Sequence, residues 1–488
     1  MERLPMGFAS TRKIAAVLSL PLAALPAHAA ERASATSTAN PASAASVSAA
    51  SVPVGSEAPQ GYARVCNAYG DSYFAIPGSD LCLAIGGGAA GQLELRGLPS
   101  WPRIPAGAAL PFTPPPRPPA ALGGAFAVGL TVTARLPTDA GLVSAYVSGM
   151  AGYNGGANPS NWTNLSRLDV AYLTFAGWTA GRAQSAFDFY ADAWNFVALR
   201  GSNARSELLS YAFAPTPGVT AIVSVENGAE RRGAVGQAVS PFANSGYENG
   251  GAPDLVGAVR VESPFGQAQI SAAAHQLRTR YAAPASVAPG QPDASSSQWG
   301  FAAQGGLKVN LPSLSDADAM ILQATYARGA TAYIAGDTQS TFGDFNRAGS
   351  SPRLTTAQGL GAYDYDCVFA AQPFGRCDKS SGYALVAALK HFWSPNVSSS
   401  LFASVFGMSY PDAVRNSHTG VAGAGDYHET TVGGNLVWTP LKNLMIGGEI
   451  SYTVGKTEIP GAPNPANSGE HWTTSTEWSG RVRVQQKF

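Results

Sequence analysis

The sequence predicts an all-β protein, a transmembrane antiparallel β-barrel of about sixteen strands. Three observations carry this expectation. Apolar and polar residues alternate with a period of two along most of the chain, short turns take turns with long polar connections, and the strand count is even.

Composition sets the frame. Of 488 residues only 13% are charged, about half the ~25% usual for soluble domains. The 55 glycines, 35 prolines and 45% hydrophobic residues suit many strands joined by turns. Lys+Arg and Asp+Glu balance at 31 each, so net charge gives no reason to expect a nucleic-acid partner.

The chain opens with Arg3, Arg12 and Lys13 ahead of the apolar run IAAVLSLPLAALP, followed by Ala27-His28-Ala29-Ala30. A basic start, a short apolar stretch and a small-x-small site predict a secretory signal over 1–30. Pro21 and Pro26 break the run, which is too short for a membrane anchor. Residues 31–60 are Ala/Ser-rich and nearly free of large apolar groups, so they are expected to be a disordered leader. The barrel domain is expected over 61–488.

Individual strands can be phased. In NLMIGGEISYTV, Leu444, Ile446, Ile450, Tyr452 and Val454 oppose Glu449, Ser451 and Thr453. In GQAQISAAAHQ, Ile270 opposes Gln269, Ser271 and His275, and near residue 130 Leu130, Val132 and Leu136 oppose Thr131, Thr133 and Arg135. The terminal WSGRVRVQQKF places Trp478, Val482, Val484 and Phe488 against Arg481, Arg483 and Lys487. A soluble sandwich also alternates, so the connections decide. Short ones at 138–141, 215–218, 263–266, 394–396 and 439–443 alternate with long polar ones near 227–252, 279–298, 335–380, 411–429 and 456–473. About sixteen strands counted from Cys82 put both termini at the short-turn end. Apolar faces then meet lipid, polar faces line water, and closure leaves no strand edge unpaired in hydrocarbon. Trp178, Trp393, Trp438, Tyr410 and Phe488, near strand ends, are expected in the interfacial aromatic girdles.

Four cysteines allow three pairings. The near neighbours Cys66 with Cys82 and Cys367 with Cys377 are the expected structural disulfides in an exported chain. Their spacing does not suit zinc.

Several stretches in order resemble the alphaproteobacterial porin family, trimeric outer-membrane diffusion channels. They are RVCNAYGDSYFAIPGSDLCLAIGG (64–87), AYLTFAGWTAGRAQSAFDFY (171–190), VSVENGAERR (223–232), PDLVGAVRVESPFGQAQISAAAHQLR (253–278), LKHFWSPNVSSSLF (389–402), NLVWTPLKNLMIGGEISY (435–452) and the terminal GRVRVQQKF. The resemblance implies a third loop folded into the lumen, here about 188–206. It would carry Asp188 and Asp192, with Glu207 just beyond, towards Arg135, Arg182, Arg481 and Arg483 on the wall. Acids facing bases across a constriction set a transverse field that tunes ion passage. The plainer alternative makes each of these an ordinary wetted lumen residue. The Pro-rich segment PSWPRIPAGAALPFTPPPRPPA (99–120) departs from the family, and favours extended polyproline geometry. It could serve as a stiff external loop, a partner-binding arm or a plug.

The chain holds no GxxxxGK[ST], HExxH or GxSxG pattern, so neither catalysis nor a cofactor is expected. The GGG at 86–88 lies in a strand pattern, where glycines ease curvature or close contact. His275 and His391 stand apart and are expected in the lumen or at an interface. The function expected is a passive outer-membrane channel for small hydrophilic solutes and ions, embedded in outer-membrane lipid as a homotrimer. Two alternatives are a channel selective for a sugar or small organic acid, with Trp194 and Phe196 as a sliding surface, and an exported adhesin or binding protein.

Overall fold

The computed structural model describes residues 64–70, 72–96, 121–154, 163–237, 244–282, 293–335, 365–369, 375–412, 426–458 and 472–488. The expected signal segment, the 31–60 leader and the Pro-rich 99–120 segment lie outside the described residues.

Sixteen strands make the wall. The first eight are β1 (Cys82–Arg96), β2 (Ala121–Thr138), β3 (Gly141–Asn154), β4 (Thr163–Phe175), β5 (Trp178–Gln184), β6 (Arg205–Thr216), β7 (Val219–Glu226) and β8 (Asp254–Ser263). They continue as β9 (Gly266–Ala282), β10 (Ala294–Asn310), β11 (Ala319–Arg328), β12 (Ser381–Ser394), β13 (Val397–Ser409), β14 (Tyr427–Leu441), β15 (Leu444–Glu458) and β16 (Trp472–Lys487). Each pairs antiparallel with the next, and β16 pairs back with β1 from Ser479↔Arg96 to Lys487↔Gly88. Phe488 completes the seam, exchanging backbone hydrogen bonds with Gly87. The barrel therefore presents no free edge to lipid, where each unpaired backbone group costs several kcal/mol.

The pleat sorts side chains as the alternation predicts. Ile270 is 73% exposed on the outer face while Gln269 and Ser271 beside it are 2% exposed. Trp178, Trp393, Trp438 and Phe488 face outward as expected of girdle residues. Tyr410 does not. It is buried in a core cluster, packed edge-on against Tyr365, because the chain turns inward where β13 ends.

The turns explain the hairpins. Ala176 and Gly177, between β4 and β5, both have positive φ (48° and 86°), the geometry whose twist matches paired strands. Among the described residues, short turns join strands at one end, whereas the third loop (185–204), fourth loop (227–253) and sixth loop (329–380) lie at the other. At the short-turn end a small hairpin, Arg64–Val65 with Phe74–Ala75, adds to the start of β1. The Cys66–Cys82 disulfide clamps it there. At the long-loop end Ala234–Gln237 runs parallel to Tyr365–Phe369, which pairs antiparallel with Cys377–Lys379. This small sheet joins the fourth and sixth loops, and the Cys367–Cys377 disulfide closes its hairpin.

The inner wall is not uniformly polar. Inward Ala302, Ala327, Ala384 and Phe406 pack with Phe187 of the third loop and with Tyr333, Ile334 and Val368 of the sixth. Small inward residues make room there for a dry core between wall and loops, which displaces water from that side of the long-loop half.

Candidate pore constriction

The third loop enters the lumen because the wall satisfies its backbone. The Phe187 carbonyl accepts from Gln269 Nε2 (3.2 Å), Ser271 Oγ (2.8 Å) and Gln304 Nε2 (2.7 Å). Farther along, Tyr190 N donates to Gln323 Oε1 at 2.9 Å. At the tip, Phe196 N and Val197 N donate to the two oxygens of Glu449 at 2.6 Å each, and Asn435 Nδ2 donates to the Trp194 carbonyl at 2.7 Å. Arg200 meets Glu429 with two donors at 3.2 Å, both side chains buried. Two glycines serve as sockets: a Cβ at Gly306 would meet the Phe189 ring at 2.3 Å, and one at Gly447 the Phe196 ring at 2.6 Å. Polar inward residues from β9 to β15 thus hold a loop where the alternation alone suggested water.

The six residues expected at the constriction do not converge on one ring. Asp188 is sealed at the base of the loop, 3.0 Å from Arg231 Nη2 with each side chain 1% exposed, and it also accepts from Ala204 N and Ser202 Oγ. Asp192 is half-buried on the loop, accepting from Asn195 Nδ2, Leu199 N and Asn203 Nδ2. Arg481 faces inward but is only 4% exposed, held between Glu94 (2.9 Å) and Glu449 (3.5 Å) beside the docked tip. Arg483 remains half-buried, its guanidinium 4.4 Å from the Phe196 ring centroid and bonded to Gln92 Oε1. The loop tip therefore docks onto the terminal arginines rather than facing them across water. Arg135 does face inward, but near the short-turn end, in register with Cys82 and over the Tyr69 and Tyr73 rings. Arg182 takes the other face: it shares its pleat side with exposed Trp178, stands opposite Glu207 in register, and pairs with Glu230 of the fourth loop.

Three groups essential to this arrangement bear no local sequence signal of their roles. Glu449 had the right phase, but nothing local marks it as the tip's acceptor. Arg231 lies in ENGAERR, 43 residues from Asp188, and Glu94 lies 387 residues from Arg481. The expected disulfides, Cys66–Cys82 and Cys367–Cys377, are both formed.

Above the third loop a buried chain of polar groups joins two other loops to the wall. Asp254 accepts from Tyr333 OH at 2.7 Å and lies 2.7 Å from His275 Nδ1. Tyr247 OH lies 3.2 Å from His275 Nε2 and donates to Asp366 at 2.5 Å. Burial, with Asp366 beside it, raises the Tyr247 phenol above its ordinary range, so it stays a donor.

A closed sixteen-stranded barrel carrying a loop folded into its lumen has porin architecture. The chain belongs to the porin subfamily, whose profile matches residues 51–111 and 117–480. That membership places it in the outer membrane. It is similar to Porin Omp2b of Brucella melitensis, 25% identical over an alignment 224 residues long that covers 42% of this chain. The match spans 54% of that relative, about half its length. The fold is also similar to the outer membrane channel DcaP of Acinetobacter baumannii, with a TM-score of 0.54 at 14% identity, covering 85% of this chain and 99% of that one.

Proposed function

We propose that the chain forms a water-filled, passive diffusion channel for small hydrophilic solutes and ions, narrowed by the third loop. The observation that carries this is an asymmetry of the inner wall. The loop is anchored on residues from β9 to β15, whereas the inward Thr131, Thr133, Tyr146 and Tyr172 of β2 to β4 remain half-buried. The passage follows this uncovered wall past the loop's free edge. Asp192 on that edge and Arg483 beside the tip are the charges proposed to tune it, with Arg481 fixing the tip's position. The assembly is proposed to be a homotrimer surrounded by outer-membrane lipid.

Single-channel recording of the purified protein in a planar bilayer tests this reading. Stepwise conductance with closures in thirds supports an open trimer. A folded, inserted barrel that passes no current would sink the channel reading. A second reading, a channel selective for one sugar or small organic acid, is favoured by the half-buried Trp194 and Phe196 at the loop edge. Saturable block of the current by one solute would select it.

A further inference from the structure

We infer that the short-turn half of the lumen favours small anions, organic acids included, over cations; this rests on the channel reading. Net charge is zero for the whole chain, so any selectivity must come from where charges sit. On the short-turn side of the third loop, Lys308, Lys390, Arg135 and Lys487 all lie on the inner face. Lys308 follows buried Gln304 and Gly306 at a spacing of two, in register with Gln267 and Ile321. Lys390 follows buried Val386 and Ala388 in the same way, its ammonium 5.0 Å from the Phe392 ring centroid. Arg135 lies 5.2 Å and 5.0 Å from the Tyr69 and Tyr73 ring centroids. Lys487 shares the inward side of β16 with Arg481 and Arg483, but it is exposed at the very mouth, where screening weakens it as it does the rim charges. Arg260, hydrogen-bonded to Gln269, and Arg483 add charge of the same sign to the same wall.

Among the described residues, the carboxylates of this half do not match them. Glu262 shares the inner face and accepts from Gln267 Nε2 at 2.9 Å. Asp318 is buried against His391 Nδ1 (2.5 Å) and Phe392 N (2.9 Å). Glu94 and Glu449 close on Arg481. Asp80, Asp139 and Asp316 stand on exposed segments at the rim, as does Lys442, where water and salt screen them within a Debye length of about 10 Å at 0.1 M. Nearer the long-loop end the pattern differs, since Arg200, Arg231 and Arg205 are matched by Glu429, Asp188 and Asp169. Like charges on a low-dielectric wall raise the local concentration of counter-ions. The short-turn vestibule is therefore positive, whereas these three arginines nearer the long-loop end are each paired with a carboxylate.

Reversal potential under a potassium chloride gradient, read at low and high salt, tests the inference. The expected result is a severalfold preference for chloride at low salt that shrinks at high salt. The double variant Lys308→Glu/Lys390→Glu should move the reversal potential through zero towards the cation side, and Lys442→Gln on the rim should leave it unchanged. Should the Glu variant fail to fold, Lys308→Gln/Lys390→Gln should halve the preference or more. A wild-type channel that conducts but is unselective or cation-selective at low salt overturns the inference while leaving the channel reading intact. Selectivity indifferent to Lys308 and Lys390 overturns the assignment to this wall. A silent inserted barrel instead overturns the channel reading beneath it.

Discussion

Arg231 Nη2 lies 3.0 Å from Asp188 Oδ1, each side chain 1% exposed, and this pair joins the base of the third loop to the fourth. Asp188 also accepts from the backbone of Ala204 and from Ser202 Oγ, so one carboxylate closes the loop on itself. The guanidinium is 4.4 Å from the Tyr333 ring centroid as well, which brings in the sixth loop. Three loops therefore share one buried charge pair.

Removing one partner strands the other. Arg231→Met should destabilise the loop assembly by about 3–5 kcal/mol, the cost of leaving a buried charge uncompensated. Arg231→Met/Asp188→Asn should recover part of that loss. Thermal unfolding in detergent, with both single variants and the double, measures the coupling. A strictly additive result would show that the pair does not act as a unit.

The loop tip depends on Glu449. Its two oxygens accept from Phe196 N and Val197 N at 2.6 Å each, so Glu449→Ala should free the tip and raise single-channel conductance and open-channel noise. Gly447→Val should displace the same tip by steric conflict, since a Cβ there would lie 2.6 Å from the Phe196 ring. Unchanged conductance in both variants would mean that the tip does not set the bore.

The Cys367–Cys377 disulfide closes a hairpin in the small sheet joining the fourth and sixth loops, and both cysteines are fully buried. Cys367→Ser/Cys377→Ser should raise amide exchange in Tyr365–Phe369 about tenfold or more, from the roughly 2–4 kcal/mol a disulfide typically contributes. Exchange in β9 and β10 should stay slow, since barrel hydrogen bonds do not pass through this hairpin. Hydrogen-exchange mass spectrometry reads both regions together.

Asp318 gives a pH dependence with a defined sign. Burial opposes its charge, but hydrogen bonds from His391 and the Phe392 backbone outweigh this and hold its pKa below the usual 3.8. A depressed carboxylate contributes stability that is fully present above its unfolded pKa and lost as pH falls through the folded one. Asp318→Asn should therefore lower the unfolding temperature at neutral pH, and the gap to wild type should close only below about pH 3.8. A gap that closes at higher pH would point to a different group.

Much of the architecture was legible because a β-strand writes its two faces into the sequence. The period of two sorted Ile270 from Gln269, the turn residues marked the hairpins, and an even count of strands put both termini at the short-turn end. Both near-neighbour disulfides followed from spacing in an exported chain. Arg182 shows the limit of phase alone. It shares a side with outward Trp178, but near the end of a strand the outer face is no longer in hydrocarbon, so a charge there does not mark the lumen.

By itself the sequence determined which residues alternate, where the chain turns and that its last strand must find the first. Only the tertiary structure decided what covers each inner face. Gln269 and Glu449 read as water-facing, yet each satisfies a backbone group of the third loop, as Gln323 and Asn435 also do. Asp188 and Arg481 read as pore charges, yet each is closed into a buried pair. The physical reason is that alternation records polarity, and a polar inward side chain serves equally to meet water or to bond a loop. Closure of the barrel brings Glu94 to Arg481 across 387 residues, and no local pattern can encode that contact.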